Sequence, residues 1–137
     1  MKIWTRVFIL ASLVMIVSCS SYEILPNQIT VLVGDELLKD KRKMNALDRY
    51  RCEDYLHQYL REFAEEYQPR NTLLIETTIT DLHLGMGRDM MATETVVKED
   101  GQVIDTLTFQ RSTGRRGAAK RLTVALAKDI MSSLRGL

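Results

Sequence analysis

Few side chains in this sequence have the types and spacing to do chemistry. There are two cysteines, Cys19 and Cys52, and two histidines, His57 and His83. Cys19 stands where an apolar run stops, in the stretch IVSCSS, residues 16 to 21. A thiol is the strongest nucleophile among the side chains, so at that edge it is suited to covalent modification without a catalytic neighbour. Cys52 shares a helical stripe with Leu56 and Tyr59 and reads as a small buried hydrophobe. His57 lies beside the same stripe and reads as a boundary residue rather than a base. Asp81, His83 and Asp89 carry ligand atoms, but only His83 is a favoured transition-metal ligand and the spacing is not diagnostic, so no metal is expected. No G-x-S-x-G, H-E-x-x-H or Cys-His signature is present. An enzyme is therefore not expected, and a hydrolase with an unrecognised site is the residual enzymatic reading.

Two segments have the composition of contact surfaces. RSTGRRGAAKR, residues 111 to 121, gathers Arg111, Arg115, Arg116, Lys120 and Arg121 with no acid among them. Gly114 and Gly117 leave backbone amides accessible where a helix begins, and cations there oppose the positive end of the helix dipole. A bound anion, such as a phosphate of an envelope lipid or an acidic group on a partner, would relieve that conflict. The bland reading, a solvated helix entrance with no ligand, is the favoured one, because surface basic clusters are common. HLGMGRDMM, residues 83 to 91, joins two expected strands. Its Met86, Met90 and Met91 are adaptable apolar groups, suited either to docking a partner or to packing under the loop.

The segment that positions Cys19 is the leader. Lys2 and Arg6 precede an apolar run from Val7 to Val17 broken only by Ser12, and the run ends on small residues. This is the order of a secretory signal, and about 11 apolar residues are too few for a spanning helix, which needs about 20. Ile16, Val17, Ser18 and Cys19 resemble the lipobox of bacterial lipoproteins. The resemblance implies a signal peptide over residues 1–18 and a mature first residue, Cys19, bearing a diacylglycerol thioether and an acylated amine. The covalent lipid is the only cofactor expected. Ser20 after the cysteine, in place of aspartate, implies release to the outer membrane and a periplasmic face. Two or three acyl chains hold firmly where one holds reversibly. Residues 19–27 form a short tether, since eight extended residues reach about 26 to 29 Å.

The remaining chain, residues 28–137, suits one domain. A hydrophobic fraction of 45% and a charged fraction of 27% are ordinary for a globular protein. Removing Lys2 and Arg6 leaves 17 basic against 18 acidic residues, a near balance that argues against nucleic acid as a partner.

Periodicity predicts the order β-α-β-β-β-α. A β-branched strand at residues 28–34 is followed by a charged connection and then by a helix over 46–67, capped by Asn45 with Asp48 three residues on. Cys52, Leu56, Tyr59, Leu60, Phe63 and Tyr67 share one face of that helix, and Pro69 follows it. Alternation predicts strands at 72–82, 91–98 and 102–110, the last two joined through Asp100-Gly101 as a hairpin. The threonines at 77, 78, 80, 93, 95, 106 and 108 in these strands read as a solvated face of the sheet. A helix over 115–134 carries Ala119, Leu122, Leu126, Ile130 and Leu134 as its stripe. A right-handed crossover makes the first strand pair parallel. The expected fold is a two-layer α+β domain, a four-stranded mixed sheet with two helices on one face.

The segment ATETVVKEDGQVIDTLTFQ and the helix opening GRRGAAKRLTVALAKDI resemble small α/β lipoproteins of bacteria, and more distantly the periplasmic domain of the curli-secretion lipoprotein family. The resemblance implies one small α/β domain over about residues 28–135. With the leader and the lack of a catalytic signature, the function expected is that of a non-enzymatic membrane-anchored protein that binds a protein partner or self-associates beside the membrane. The alternative is a module that recognises phosphate-bearing envelope components through residues 111–121.

Overall fold

The computed structural model describes residues 28–85, 88–114, 118–135 and 137. The leader, Cys19, the tether to residue 27, Met86, Arg115 and Arg116 lie outside the described residues. The elements are β1 (Ile29–Val33), α1 (Asp35–Leu38), α2 (Lys41–Arg49), α3 (Cys52–Tyr67), β2 (Leu73–His83), β3 (Asp89–Glu99), β4 (Gln102–Thr113) and α4 (Ala119–Ser133). The sheet runs β1-β2-β3-β4, with β1 parallel to β2 and the other pairs antiparallel. It is the expected four-stranded mixed sheet, and the two long helices, α3 and α4, pack on each other and on one sheet face.

The helical stripes meet the inward positions of the strands. Leu56 and Leu60 of α3, Leu126 and Ile130 of α4, and Ile75, Ile79, Met91 and Val97 of the sheet belong to one buried cluster. Burial of side chains this size contributes about 1.5 to 3 kcal/mol each, which is what a chain with a single free, described cysteine relies on. The hairpin turns on Asp100 and Gly101, both at positive φ (53° and 76°), as a two-residue turn matched to strand twist requires. Glycine meets that demand without a Cβ penalty.

Two local expectations are corrected. The helix before β2 begins at Lys41 rather than at residue 46, and its cap is Asp40, whose carboxylate accepts the Lys43 N–H at 3.1 Å. Asn45 lies inside α2. The helical run is then broken at Arg51, which takes a left-handed conformation (φ 52°) and lets α3 set off from Cys52 in a new direction. The charged connection also contains α1, held by buried Leu37.

The threonines do not form one solvated face. Leu73, Ile75, Thr77 and Ile79 alternate inward along β2, and Thr77 sits opposite Thr95 of β3. Their hydroxyls bond to each other at 2.9 Å, fully buried. That mutual satisfaction is what allows two hydroxyls beneath the helices. Thr93 is also buried, whereas Thr80, Thr106 and Thr108 are exposed and Thr78 is half-buried on the open face.

Candidate functional site

The basic segment is the strongest sequence signal for a ligand, and the fold gives two of its described cations, Arg111 and Lys120, partners within the chain. Arg111, on β4, makes a two-pronged ion pair with Asp129 of α4, its Nε and Nη2 each donating at 2.7 Å. Lys120 sits 5.6 Å above the ring of Tyr55, joining α4 to α3 through a cation–π contact. Arg121 is exposed on α4.

The entrance of α4 has a counter-charge of its own. Asp89, at the start of β3, is 1% exposed and accepts from the Gly85 N–H at 2.9 Å with one oxygen and from the Ala118 N–H at 3.2 Å with the other. The β2–β3 loop and the helix start are thus pinned to one carboxylate. A negative charge at a helix N-terminus is stabilised by the dipole and by the unsatisfied amides there. Sequence reasoning counts Asp89 only among weak metal ligands. The signal available is an acid at an inward position of an alternating strand, but its partner lies 29 residues away.

Asp81 and His83 are placed apart from that carboxylate. Asp81 accepts from Lys43 Nζ at 2.6 Å and from the Leu82 N–H at 2.9 Å, with His83 Nε2 3.7 Å away. Partial burial would raise the Asp81 carboxyl, but the hydrogen bond from Lys43, the Leu82 amide and the nearby positive charges hold it below the usual carboxylate range. Among the described residues no group of three or more His, Cys, Asp or Glu is placed to hold a metal ion.

His57 Nε2 lies 3.2 Å from the Ile29 carbonyl, and since a carbonyl only accepts, that nitrogen carries the proton and donates. The ring ties α3 to the beginning of β1. Beside it a shallow groove of about 370 Å³ is lined by Asp54, His57, Gln58, Arg61, Glu62 and Glu65.

Of the loop methionines, Met91 is fully buried in the core. Its expected role as a partner contact is corrected: the side chain points between sheet and helices, because alternation from Asp89 puts residue 91 inward. Met90 is half-buried on the opposite side.

Cys52 is buried at the start of α3, and burial, with Glu53 adding to it, pushes its thiol up to about 11. At pH 8 the native thiol is expected to alkylate about 100-fold more slowly than the urea-unfolded one, since the thiolate is the reactive form. Iodoacetamide labelling followed by peptide mass spectrometry reads this directly, and equal rates in the two states would contradict the buried placement.

No protein-family model matches the chain, and no curated protein matches it by sequence. Solved structures do. The chain is similar in fold to PelC of Paraburkholderia phytofirmans, a dodecamer seen in two crystal forms. One form, of a point variant, has a TM-score of 0.52 at 11% identity over 80% of this chain and 86% of that one; the other scores 0.51 at 11% identity over 80% and 87%. It is similar more loosely to a minor lipoprotein from Acinetobacter baumannii, with a TM-score of 0.42 at 11% identity over 82% and 94% of the two chains. At such identity the likeness is one of fold.

Proposed function

We propose that this chain is a membrane-anchored lipoprotein of the bacterial envelope, non-enzymatic, whose domain self-associates or binds a protein partner at the periplasmic face of the outer membrane. The observation that carries the reading is the Ile16-Val17-Ser18-Cys19 box at the end of a charged, apolar, small-residue leader, with eight residues between Cys19 and Gln28, where the described fold begins. The fold likeness to a dodecamer supports self-association as the domain's role. The phosphate-binding alternative has less support, because Arg111 and Lys120 are engaged within the domain and Asp89 already supplies an anion at the entrance of α4.

Radiolabelled palmitate fed to cells expressing the full chain is expected to enter the protein and to be lost entirely from the Cys19→Ala variant. Failure of the wild type to label, or equal labelling of the variant, would overturn the anchor.

A further inference from the structure

Strand β4 is a free edge: β3 lies on one side of it and no described strand on the other. The opposite edge, β1, is only five residues long. β4 is twelve residues long and exposes Val103 (56%) and Ile104 (42%) near its start. A long edge presents unpaired N–H and C=O groups that another strand can join, unless charges or bulges block it. This one carries two charges, Asp105 and Arg111, and a bulge at Ile104 near its start, beyond which it is regular.

The outward positions follow from Thr106. Its N–H is bonded to the Asp105 carboxylate at 2.9 Å, so it is turned away from β3. From Asp105 to Thr113 the register with β3 is unbroken. The two-residue period of an antiparallel ladder therefore turns the backbone groups of Thr108 and Gln110 outward as well. A second copy of β4, running antiparallel about a twofold axis at Thr108, brings outward positions opposite outward positions: Thr106 faces Gln110 of the second copy, and Thr108 faces its own equivalent.

The side chains favour the same register. Asp105 falls opposite Arg111 of the second copy, and Arg111 opposite Asp105, with Leu107 and Phe109 opposed between them on the helix side of the sheet. A slip of two residues in either direction sets Asp105 against Phe109 or Thr113 and loses both charge pairs. In the single domain the Asp105 carboxylate accepts from the Thr106 N–H; pairing hands that N–H to the Gln110 carbonyl of the second copy and frees the carboxylate for Arg111. Arg111 gives two of its five donors to Asp129, and the planar fork has others on a different edge. We infer that β4 pairs with β4 of a second copy, joining two domains into one eight-stranded sheet. The interface is isologous and closes at two subunits. The inference deepens the self-association reading proposed above and rests on it.

The test uses the full-length chain solubilised from membranes in mild detergent. Thr108→Cys, at the twofold axis, is expected to form a disulfide-linked dimer under copper-catalysed oxidation, at least about tenfold above the wild type, since paired Cα atoms about 5.5 Å apart are within disulfide reach. Thr78→Cys, on the open face but two strands in, should stay at the wild-type level. Asp105→Arg sets arginine against arginine and should shift the mass seen by light scattering from dimer to monomer. A monomeric wild type, equal cross-linking at 78 and 108, or an unaltered dimer in Asp105→Arg would each overturn the pairing. The anchor is read separately: a palmitate-labelled monomer leaves the anchor standing and removes the pairing, whereas an unlabelled dimer does the reverse.

Discussion

Replacing Leu126 by alanine is expected to lower the unfolding free energy by about 3 to 5 kcal/mol, read as a fall in the urea midpoint at unchanged slope. Leu126 is fully buried in α4 among the residues that join the two long helices to the sheet. Truncation removes the transfer energy of three carbons and leaves a cavity whose walls, α3 and the strands, are held by contacts of their own. Leu32 provides the contrast. It is 47% exposed on β1, so its truncation should change stability by less than about 1 kcal/mol. Equal effects at the two positions would mean that the helices do not cover the face assigned to them. A domain of this size has roughly 5 to 15 kcal/mol in all, so the Leu126 change alone approaches the limit of folding.

Asp89→Ala should cost about 3 kcal/mol. The change leaves the Gly85 and Ala118 amides without their acceptor, and a buried donor left unpaired costs about 1 to 3 kcal/mol. It also removes the only described negative charge bonded at the start of α4, worth about 0.3 to 1 kcal/mol more. Asp89→Asn retains one acceptor oxygen, turns an amide N–H₂ toward the second donor, and should fall between the wild type and alanine. Urea unfolding of the three proteins gives the order. If Asp89→Ala unfolds at the wild-type midpoint, the carboxylate is not what holds the β2–β3 loop to the helix.

The second prediction bears on the candidate basic surface. Arg111 looks uncompensated in sequence, and the entrance of α4 looks empty of counter-charge, because the acids that meet them are distant along the chain. Asp129 follows Arg111 by 18 residues, and Asp89 precedes Ala118 by 29. Local composition therefore suggests a missing anion. Tertiary structure supplies carboxylates from α4 and β3 instead.

The same distinction separates what is legible from what is not. Alternation along β2 to β4, the Asp100-Gly101 turn and the stripes Cys52-Leu56-Leu60 and Leu122-Leu126-Ile130 are local patterns with periods of two or about 3.6 residues, so element order and sheet class can be read from them. The lipobox and its leader are likewise contiguous, and the anchor proposal rests on sequence alone. Helix starts are less legible, because Asp40 and Asn45 are both competent caps, and the choice between them depends on Leu37 and Leu47 being buried in the core. Which threonines point inward depends on a partner strand: Thr77 and Thr95 are tolerated under the helices only because pairing of β2 with β3 sets their hydroxyls 2.9 Å apart. The outward or inward sense of a strand, the pairing of Arg111 and the burial of Asp89 are properties of chain segments brought together by folding. One sequence read in local windows determines the elements, and the energy of burying them against each other decides which polar groups must find partners.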